Sequence, residues 1–193
     1  MKIGVLALQG GFIEHTAALD KLGIPNFTIR KRADLRDGLD GLIIPGGEST
    51  VMGKLLIETQ LFEPIKALIH GGLPVFGTCA GMILLAQKIV NDEHTYFGSI
   101  GVTVKRNAFG RQLGSFLSTG YFSGIGEIPM TFIRAPYIET ANDNVTVLAS
   151  VNGCKVAAES GNILVTAFHP ELTDDLSVLK YFLSKVEARA VVK

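Results

Sequence analysis

The chain has 193 residues, with 18 basic and 18 acidic side chains and a formal net charge of zero. Apolar residues make up 47% of the sequence, enough for a chain of this length to bury a core without crosslinks or a structural metal. The balanced charge argues against nucleic acid and against an anionic membrane as partners.

The first half of the chain alternates between apolar strands and amphipathic helices. Short, nearly continuous apolar runs predict buried strands at residues 2–8, 41–44 and 73–76,. Residues 26–30 are predicted as a further strand. Helices are predicted between and after them, at residues 12–22, in two pieces over 51–71 with the second piece starting near Pro64, and at 80–90. This alternation predicts an α/β three-layer sandwich with a mainly parallel central sheet and helices on both faces.

The second half of the chain is rich in strands. Six further strands are predicted, at residues 101–106, 115–122, 130–136, 145–151, 155–160 and 162–168. Asn152-Gly153 is a strong hairpin signal between two of them. A last helix is predicted over residues 173–188, and because no linker or repeat interrupts the sequence, residues 1–193 are expected to form a single domain.

The N-terminal residues and the cysteines indicate a reducing compartment. The apolar start of the chain is broken by Gln9, Gly10 and a further glycine, so it lacks the length of a secretory signal. No apolar stretch reaches the roughly 18 to 20 residues of a membrane helix. The two cysteines, Cys79 and Cys154, are therefore expected to be free thiols of a cytoplasmic protein.

Cys79 lies in a Gly-Thr-Cys-Ala-Gly segment between a predicted strand and a predicted helix. Such a turn holds its central residue in a tight conformation at the carboxyl end of the sheet, where open α/β sheets bind ligands. The nearby helix N-terminus also favours the thiolate, which is the reactive form. The segment therefore predicts a nucleophile, with a buried structural cysteine as the alternative.

His169 follows the last predicted strand, and Glu171 follows it by two residues. One short turn can then direct the carboxylate to the imidazole and fix its tautomer, with Pro170 stiffening the geometry. A histidine and a glutamate in an ordinary surface loop are the alternative. Combined with the cysteine turn, the segment predicts a Cys79-His169-Glu171 catalytic triad.

A third segment, Pro-Gly-Gly-Glu-Ser-Thr at residues 45–50, also follows a strand and precedes a helix. The consecutive glycines Gly46 and Gly47 can turn backbone N–H groups inward, which suits a developing oxyanion. The alternative is a loop with a helix cap from Ser49 or Thr50. A phosphate-binding loop is a poor match because its lysine is missing.

These segments resemble the class I, triad-type glutamine amidotransferases, whose flavodoxin-like α/β fold surrounds a Cys-His-Glu triad. Finer matches resemble one family, the glutaminase subunit of pyridoxal 5′-phosphate synthase. The matching segments are spread over the whole chain, at residues 6–15, 42–50, 74–86, 106–116, 132–136 and 168–175. The departures from the family pattern, at Val51, Met82 and Ala167, remove no reacting group.

The resemblance implies a role for each group of residues. Cys79 would be the nucleophile, His169 the general base and acid, and Glu171 the residue that orients the imidazole. The L-glutamine site would comprise Gly47, Glu48, Ser49, Arg106, Ile133 and Arg134. The oxyanion hole and the partner side would comprise Gln9, Gly10, Gly46, Gly47 and Ala80. The chemistry of these side chains agrees with that site, because an arginine pairs bidentately with an α-carboxylate and Glu48 can bind the α-ammonium. The alternative for Arg106 and Arg134 is that each is a solvated charge at the end of a strand.

The implied activity is hydrolysis of L-glutamine to L-glutamate and ammonia, with no cofactor and no metal. The ammonia would pass to a (β/α)₈-barrel synthase subunit in a hetero-oligomeric complex, and the free glutaminase would be poorly active until that partner docks. Three alternatives remain open at this point. They are the glutaminase subunit of a different class I amidotransferase, a non-catalytic glutamine-binding module and a cysteine peptidase.

Overall fold

The computed structural model describes residues 1–35, 38–106 and 115–192. Its strands, in chain order, are β1 (Ile3–Leu6), β2 (Asn26–Ile29), β3 (Gly41–Ile44), β4 (Val75–Thr78), β5 (Ala86–Ile89), β6 (Ile100–Lys105), β7 (Ser115–Phe122), β8 (Gly126–Ile133), β9 (Tyr137–Ala141), β10 (Thr146–Val151), β11 (Cys154–Ser160) and β12 (Ile163–Thr166). Its α-helices are α1 (Phe12–Lys21), α2 (Ser49–Glu58), α3 (Phe62–His70), α4 (Ala80–Leu85) and α5 (Ser177–Val192).

Five strands form the parallel part of the sheet, in the order β2-β1-β3-β4-β12. Every residue of β1, β3, β4 and β12 is buried, which explains why these segments are continuous apolar runs rather than alternating ones. Because the strands are parallel, their carboxyl ends meet at one edge. This edge therefore carries the loop after β3, Cys79 directly after β4, and the segment after β12.

Helices cover both faces of this parallel part. The Phe76 ring lies 6.0 Å from the His15 ring of α1 and 5.6 Å from the Phe182 ring of α5, between centroids. The next residue, Gly77, faces the Leu85 side chain of α4. Successive residues of a strand point to opposite faces, so α1 and α5 lie on one side of the sheet and α4 on the other, as the sequence predicted.

The second half of the chain extends the sheet with antiparallel strands. β11 pairs with β12, and β10, β7 and β8 continue the sheet outward. β9 pairs with β11 and β6, and β6 pairs in parallel with β5. The strand-rich character predicted from the sequence is confirmed, but β9 was not predicted as a separate strand.

Several predicted boundaries differ from the structure. The strand predicted over 130–136 is Gly126–Ile133, and three further differences concern helices. The helix predicted over 80–90 ends at Leu85, and Ala86–Ile89 forms β5 because it pairs in parallel with β6, with a register shift between Ala86 and Lys88. The two-piece helix is confirmed, with the break near Gln60 (φ 57°), although α3 starts at Phe62 rather than at Pro64. The last helix starts at Ser177 rather than at 173. At this start the Asp175 carboxylate accepts the Ser177 N–H at 2.8 Å.

Across the described ranges, no helix combines the length and the apolar character needed to cross a lipid bilayer.

Candidate active site

Cys79 lies at a strained turn between β4 and α4. Its φ of 48° and ψ of −99° fall outside the regions that non-glycine residues prefer,. The Cys79 N–H donates to the Thr166 carbonyl of β12 at 2.8 Å, and the residue is only 7% exposed. Strained backbone of this kind persists only where the surroundings enforce it, and it is concentrated at functional sites.

The two glycines that flank this turn are required by close contacts. A Cβ on Gly77 would lie 2.8 Å from the backbone carbon of Gly81, and a Cβ on Gly81 would clash with the Ile44 carbonyl of β3. Helix α4 therefore begins in direct contact with two strands of the parallel sheet. This contact holds Cys79 at the sheet edge and explains the Gly-x-x-x-Gly spacing of the segment.

His169 and Glu171 lie beside Cys79. The His169 N–H donates to the Thr131 carbonyl at 2.8 Å, which fixes the residue after β12. The His169 Nδ1 and Glu171 Oε1 are 2.7 Å apart, within a short 3₁₀ turn over Pro170–Leu172. His169 and Cys79 line the same cleft, and because Nδ1 is engaged by Glu171, Nε2 is the nitrogen left for the thiol.

The electrostatics of this cluster favour charge separation. Burial opposes a charged His169, but hydrogen bonds to Cys79 and Glu171 outweigh it and raise the pKa of His169 to about 10. Burial likewise opposes an ionised Glu171, yet the adjacent His15 and His169 hold the pKa of Glu171 below its ordinary value of 4.5. An ionised Glu171 therefore lies beside a protonated imidazole, which has a proton available on its other nitrogen.

The glycine loop after β3 packs against the imidazole. A Cβ on Gly46 would clash with His169 Cε1, so only glycine allows this approach. The Gly46 N–H donates to Thr78 Oγ1 at 2.9 Å. The helix cap predicted as an alternative is present but comes from Glu48, whose carboxylate accepts the N–H groups of Thr50 and Val51 at 3.1 and 2.8 Å.

Gln9 and Gly10 form the opposite side of the glycine loop. Gln9 Oε1 accepts the Glu48 N–H at 2.7 Å. Gly10 has a φ of 93°, and a Cβ there would clash with the Gly46 carbonyl. The Gly46 carbonyl in turn accepts the Gly11 N–H at 3.0 Å. The loop after β1 and the loop after β3 are therefore locked together beside Cys79.

Arg106 and Arg134 come from the antiparallel part of the sheet. Arg106 Nη1 donates to Asp92 Oδ2 at 2.8 Å, while its Nε and Nη2 are buried and have no hydrogen-bond partner among the described residues. Arg134 is exposed directly after β8, at a φ of 43°, next to the half-buried Ile133. The two unpartnered nitrogens of Arg106 are donors in a planar fork that matches a carboxylate.

One cleft of about 470 Å³ brings these groups together. Every residue predicted for the site lines it except Ala80, which is buried at the start of α4 directly after Cys79. Gly11, Glu14, Ile83 and Leu172 line it as well and were not predicted. Within the described residues no group of three or more histidine, cysteine or acidic side chains could hold a metal ion. Residues 107–114 of the predicted 106–116 motif lie outside the described residues.

Three polar residues next to the cleft were not predicted from the sequence. Asp92 holds Arg106, Thr78 accepts the Gly46 N–H, and His15 lies against Glu171. His15 had a detectable signal, because it occupies the same helical face as buried Ala18 and Leu19 at spacings of three and four residues,. Asp92 and Thr78 had none, since each acts through contacts with residues that are distant in the sequence.

Comparisons with known proteins identify the family of the chain. Residues 5–188 match the SNO glutamine amidotransferase family. The subunit PdxT of pyridoxal 5′-phosphate synthase from Haemophilus influenzae (strain PittEE) is 53% identical over 186 residues, covering 95% of this chain and 97% of the relative. The protein of the same name from Streptococcus pneumoniae (strain ATCC 700669 / Spain 23F-1) is 49% identical over 193 residues, covering 98% and 100%.

A solved structure has the same fold as this chain. A crystal structure described as a glutamine amidotransferase matches with a TM-score of 0.91 at 43% sequence identity, covering 96% of this chain and 98% of that one. The predicted α/β fold class is thereby confirmed. With a family match across nearly the whole length and relatives of about half identical sequence, this chain belongs to the SNO glutamine amidotransferase family.

Proposed function

We propose that the chain is the glutaminase subunit of a pyridoxal 5′-phosphate synthase and hydrolyses L-glutamine to L-glutamate and ammonia. The observation that carries this proposal is the composition of one cleft. Cys79, His169 and Glu171 line it together with Arg106, whose Nε and Nη2 are buried donors that no other described residue engages. A nucleophile with a base and an orienting carboxylate, beside a receptor for a free carboxylate, suits an amino-acid amide better than a peptide.

The first half of the reaction forms a thioester. The Cys79 thiolate attacks the side-chain amide carbon of glutamine, and the carbonyl becomes an oxyanion that backbone N–H groups at Gly47 and Ala80 stabilise. Protonated His169 then donates its Nε2 proton to the departing nitrogen. The carbon–nitrogen bond breaks, ammonia leaves and a γ-glutamyl thioester remains on Cys79.

The second half consumes a water molecule. Neutral His169 accepts a proton from water as the oxygen attacks the thioester carbon, and the carbon–sulfur bond then breaks. The products are L-glutamate and the Cys79 thiolate beside protonated His169. Glu171 remains ionised throughout, and its hydrogen bond to Nδ1 keeps Nε2 directed at the reacting atoms,.

Substrate recognition is assigned to the opposite wall of the cleft. Arg106 and Arg134 would bind the α-carboxylate, with Asp92 holding Arg106 in place through Nη1. Glu48 would attract the α-ammonium, because its capping hydrogen bonds, against the effect of burial, lower the pKa of its carboxyl. Gly47, Ser49 and Ile133 line the space between these charged groups.

We further propose that residues 1–193 act as one glutaminase domain that docks on a (β/α)₈-barrel synthase subunit. The two relatives of about half identical sequence are both named as subunits of pyridoxal 5′-phosphate synthase. Gln9 and Gly10 lie at the cleft, and the nearby Ile13 and Leu172 are large apolar side chains that are 64% and 44% exposed. Such exposed apolar side chains suit a protein interface.

Ammonia release from glutamine, measured with and without the synthase subunit, tests the function. We expect turnover that rises when the synthase is added. Treatment with an electrophilic glutamine analogue should label Cys79 but leave Cys154, which matches no site position and lies outside the cleft, unmodified. No turnover with the partner, or labelling that is equal at both cysteines, would contradict the proposal. Full turnover without the partner would remove only the claim of activation.

A further inference from the structure

His15 is a buried, titratable side chain that the glutaminase mechanism above does not use. It lies in the first turns of α1 and is only 1% exposed. Its ring packs edge-on against Phe76, which a phenylalanine or leucine at this position could do equally well. A histidine that only filled space here would leave a polar ring in an apolar contact, so its ring nitrogens require an explanation.

The His15 Nε2 atom faces two groups of the catalytic centre. It lies 3.4 Å from Glu171 Oε2 and 3.2 Å from Thr78 Oγ1. Glu171 uses its other oxygen, Oε1, for the His169 Nδ1 at 2.7 Å. The side chain of Glu171 is 1% exposed, and among the described residues Oε2 has no hydrogen bond of standard geometry, the 3.4 Å contact with His15 Nε2 being its nearest approach to a donor. The carboxylate is therefore clamped between two imidazoles, and His15 Nε2 is the donor within reach of Oε2.

These contacts select one tautomer of His15. If the proton were on Nδ1, two lone pairs would face each other at 3.4 Å and a buried carboxylate oxygen would have no donor, which is costly. With the proton on Nε2, His15 donates toward Oε2 and Thr78 Oγ1 together. Burial lowers the pKa of His15 despite the opposing effects of Glu171 and Glu14, and His169 lowers it further. The ring that meets Glu171 is therefore neutral.

The same contact reaches the glycine loop. Thr78 Oγ1 accepts the Gly46 N–H at 2.9 Å, and Gly46 packs directly on the His169 ring. His15 thus contacts both supports of His169: the carboxylate that orients its Nδ1, and the threonine that holds the loop against its Cε1 edge. Groups that orient a reacting side chain without touching the substrate commonly matter about 10- to 100-fold in activity.

We propose that His15 is a positioning residue of the glutaminase site, which donates its Nε2–H to Glu171 Oε2 and so fixes the carboxylate that orients His169. The inference rests on the proposed glutaminase function. Because His15 lies away from the substrate wall of the cleft, its loss slows the chemical steps and leaves glutamine binding unchanged. His15 should therefore affect kcat and not KM.

Substitutions that place a donor at the position of either ring nitrogen of His15 test this role in the complex with the synthase subunit. His15→Phe keeps the ring and its packing on Phe76 but removes the donor, and should lower kcat for glutamine about 10- to 100-fold with KM unchanged. His15→Gln places an amide N–H the same number of bonds from Cα as Nε2, and should recover most of the loss. His15→Asn places it one bond short, at the Nδ1 distance, and should not recover it. His70→Phe, at an exposed histidine of α3, is the control and should behave as wild type.

The outcomes separate the role of His15 from the function itself. An active His15→Phe complex, or a Gln variant no better than the Asn variant, would overturn the positioning role while the glutaminase function stands. A wild-type complex that releases no ammonia would instead overturn the function. Nitrogen NMR of the wild-type chain near neutral pH decides the question even if a variant fails to fold. We expect His15 to carry its proton on Nε2, and an Nδ1–H or doubly protonated ring would contradict the inference.

Discussion

In the parallel part of the sheet, β1, β3, β4 and β12 are buried along their whole length, whereas β7 in the antiparallel part alternates between exposed and half-buried residues up to its last position. The two parts also supply different groups to the cleft. Cys79, His169 and the glycine loop follow buried parallel strands. Arg106 follows β6, and Ile133 and Arg134 lie at the end of β8. The reacting groups and the charged recognition groups thus come from differently buried strands.

Burial determines how firmly each part of the sheet holds the side chains that reach the cleft. A strand covered on both faces cannot shift without disturbing close packing, so it holds reacting atoms to the small tolerances that catalysis requires. The recognition arginines reach the cleft from strands that are less completely buried. They need only direct their charged N–H groups at a carboxylate, which requires less exact placement than a reacting atom. We therefore expect substitutions in the parallel part to lower kcat, and substitutions of the recognition residues in the antiparallel part to raise KM.

The largest expected effect is that of Cys79→Ala in the parallel part. Removing the nucleophile should lower kcat for glutamine hydrolysis by about 10⁴- to 10⁶-fold. Glutamine should still bind with nearly unchanged affinity, measured by calorimetry, because the arginines are intact. Hydrolysis that survives in this variant would show that the thiol is not the nucleophile.

Arg106→Gln in the antiparallel part should have the opposite pattern. Loss of a charge-assisted, bidentate pair should lower kcat/KM by about 10²- to 10³-fold, chiefly through KM. The rate of Cys79 alkylation by iodoacetamide should remain that of wild type, since the triad is untouched. If alkylation slows as much as catalysis, the two parts of the sheet do not divide the work as described. Arg106→Lys, which keeps charge without the fork, should recover only part of the loss.

A pH test examines how completely the parallel part excludes water. Burial lowers the pKa of His15 from 6.5, so below about pH 6.5 the unfolded chain binds a proton that the folded chain does not, and the free energy of unfolding falls. The contribution of His169 to the free energy of unfolding has the opposite pH dependence. Its pKa is raised to about 10, so its contribution is complete below the ordinary value and is lost as pH rises through 10.

Comparing wild type with His15→Gln isolates the first of these effects. Between about pH 7 and pH 5, wild type should lose up to about 2 kcal/mol more than the variant, measured by urea unfolding at each pH. Both chains retain His169, so its contribution cancels in the difference. Parallel pH dependence of the two chains would mean that His15 is protonated in the folded state.

The smallest expected effect is on the solvent face of β7. Leu117 and Tyr121 are 77% and 66% exposed, so Leu117→Thr should change the free energy of unfolding by less than about 0.5 kcal/mol. The matched substitution in the parallel part, Leu42→Ala at a fully buried position, should cost about 2 to 5 kcal/mol. Thermal unfolding of both variants measures the contrast, and similar losses would contradict it.

The parallel strands could be predicted because their burial leaves continuous apolar runs in the sequence. Helix α4 was predicted too long for the same reason. Residues 80–86 are apolar throughout and show no period that distinguishes a buried helix from a buried strand. Only pairing with β6, which the sequence does not reveal, makes Ala86–Ile89 a strand.

The site was predictable where chemistry and local geometry coincide. Cys79 and His169 each follow a buried strand, and Glu171 follows His169 closely in sequence. Their roles as catalytic groups remain a prediction, although the structure places the three side chains together. The supports of the site were not predictable, because Asp92 meets Arg106 and His15 meets Glu171 only through folding. The capping role of Glu48 was missed because Ser49 and Thr50 are the more usual caps,.

The conformation of Cys79 has a consequence for how the thiol is exposed during the life of the protein. Its strained backbone, of order 1 to 3 kcal/mol, is enforced by contacts among β3, β4, β12 and α4, which exist only in the finished fold. A chain that lacks these contacts has no means of holding Cys79 in this conformation. The thiol is therefore presented in the geometry of the site only once β3, β4, β12 and α4 have assembled.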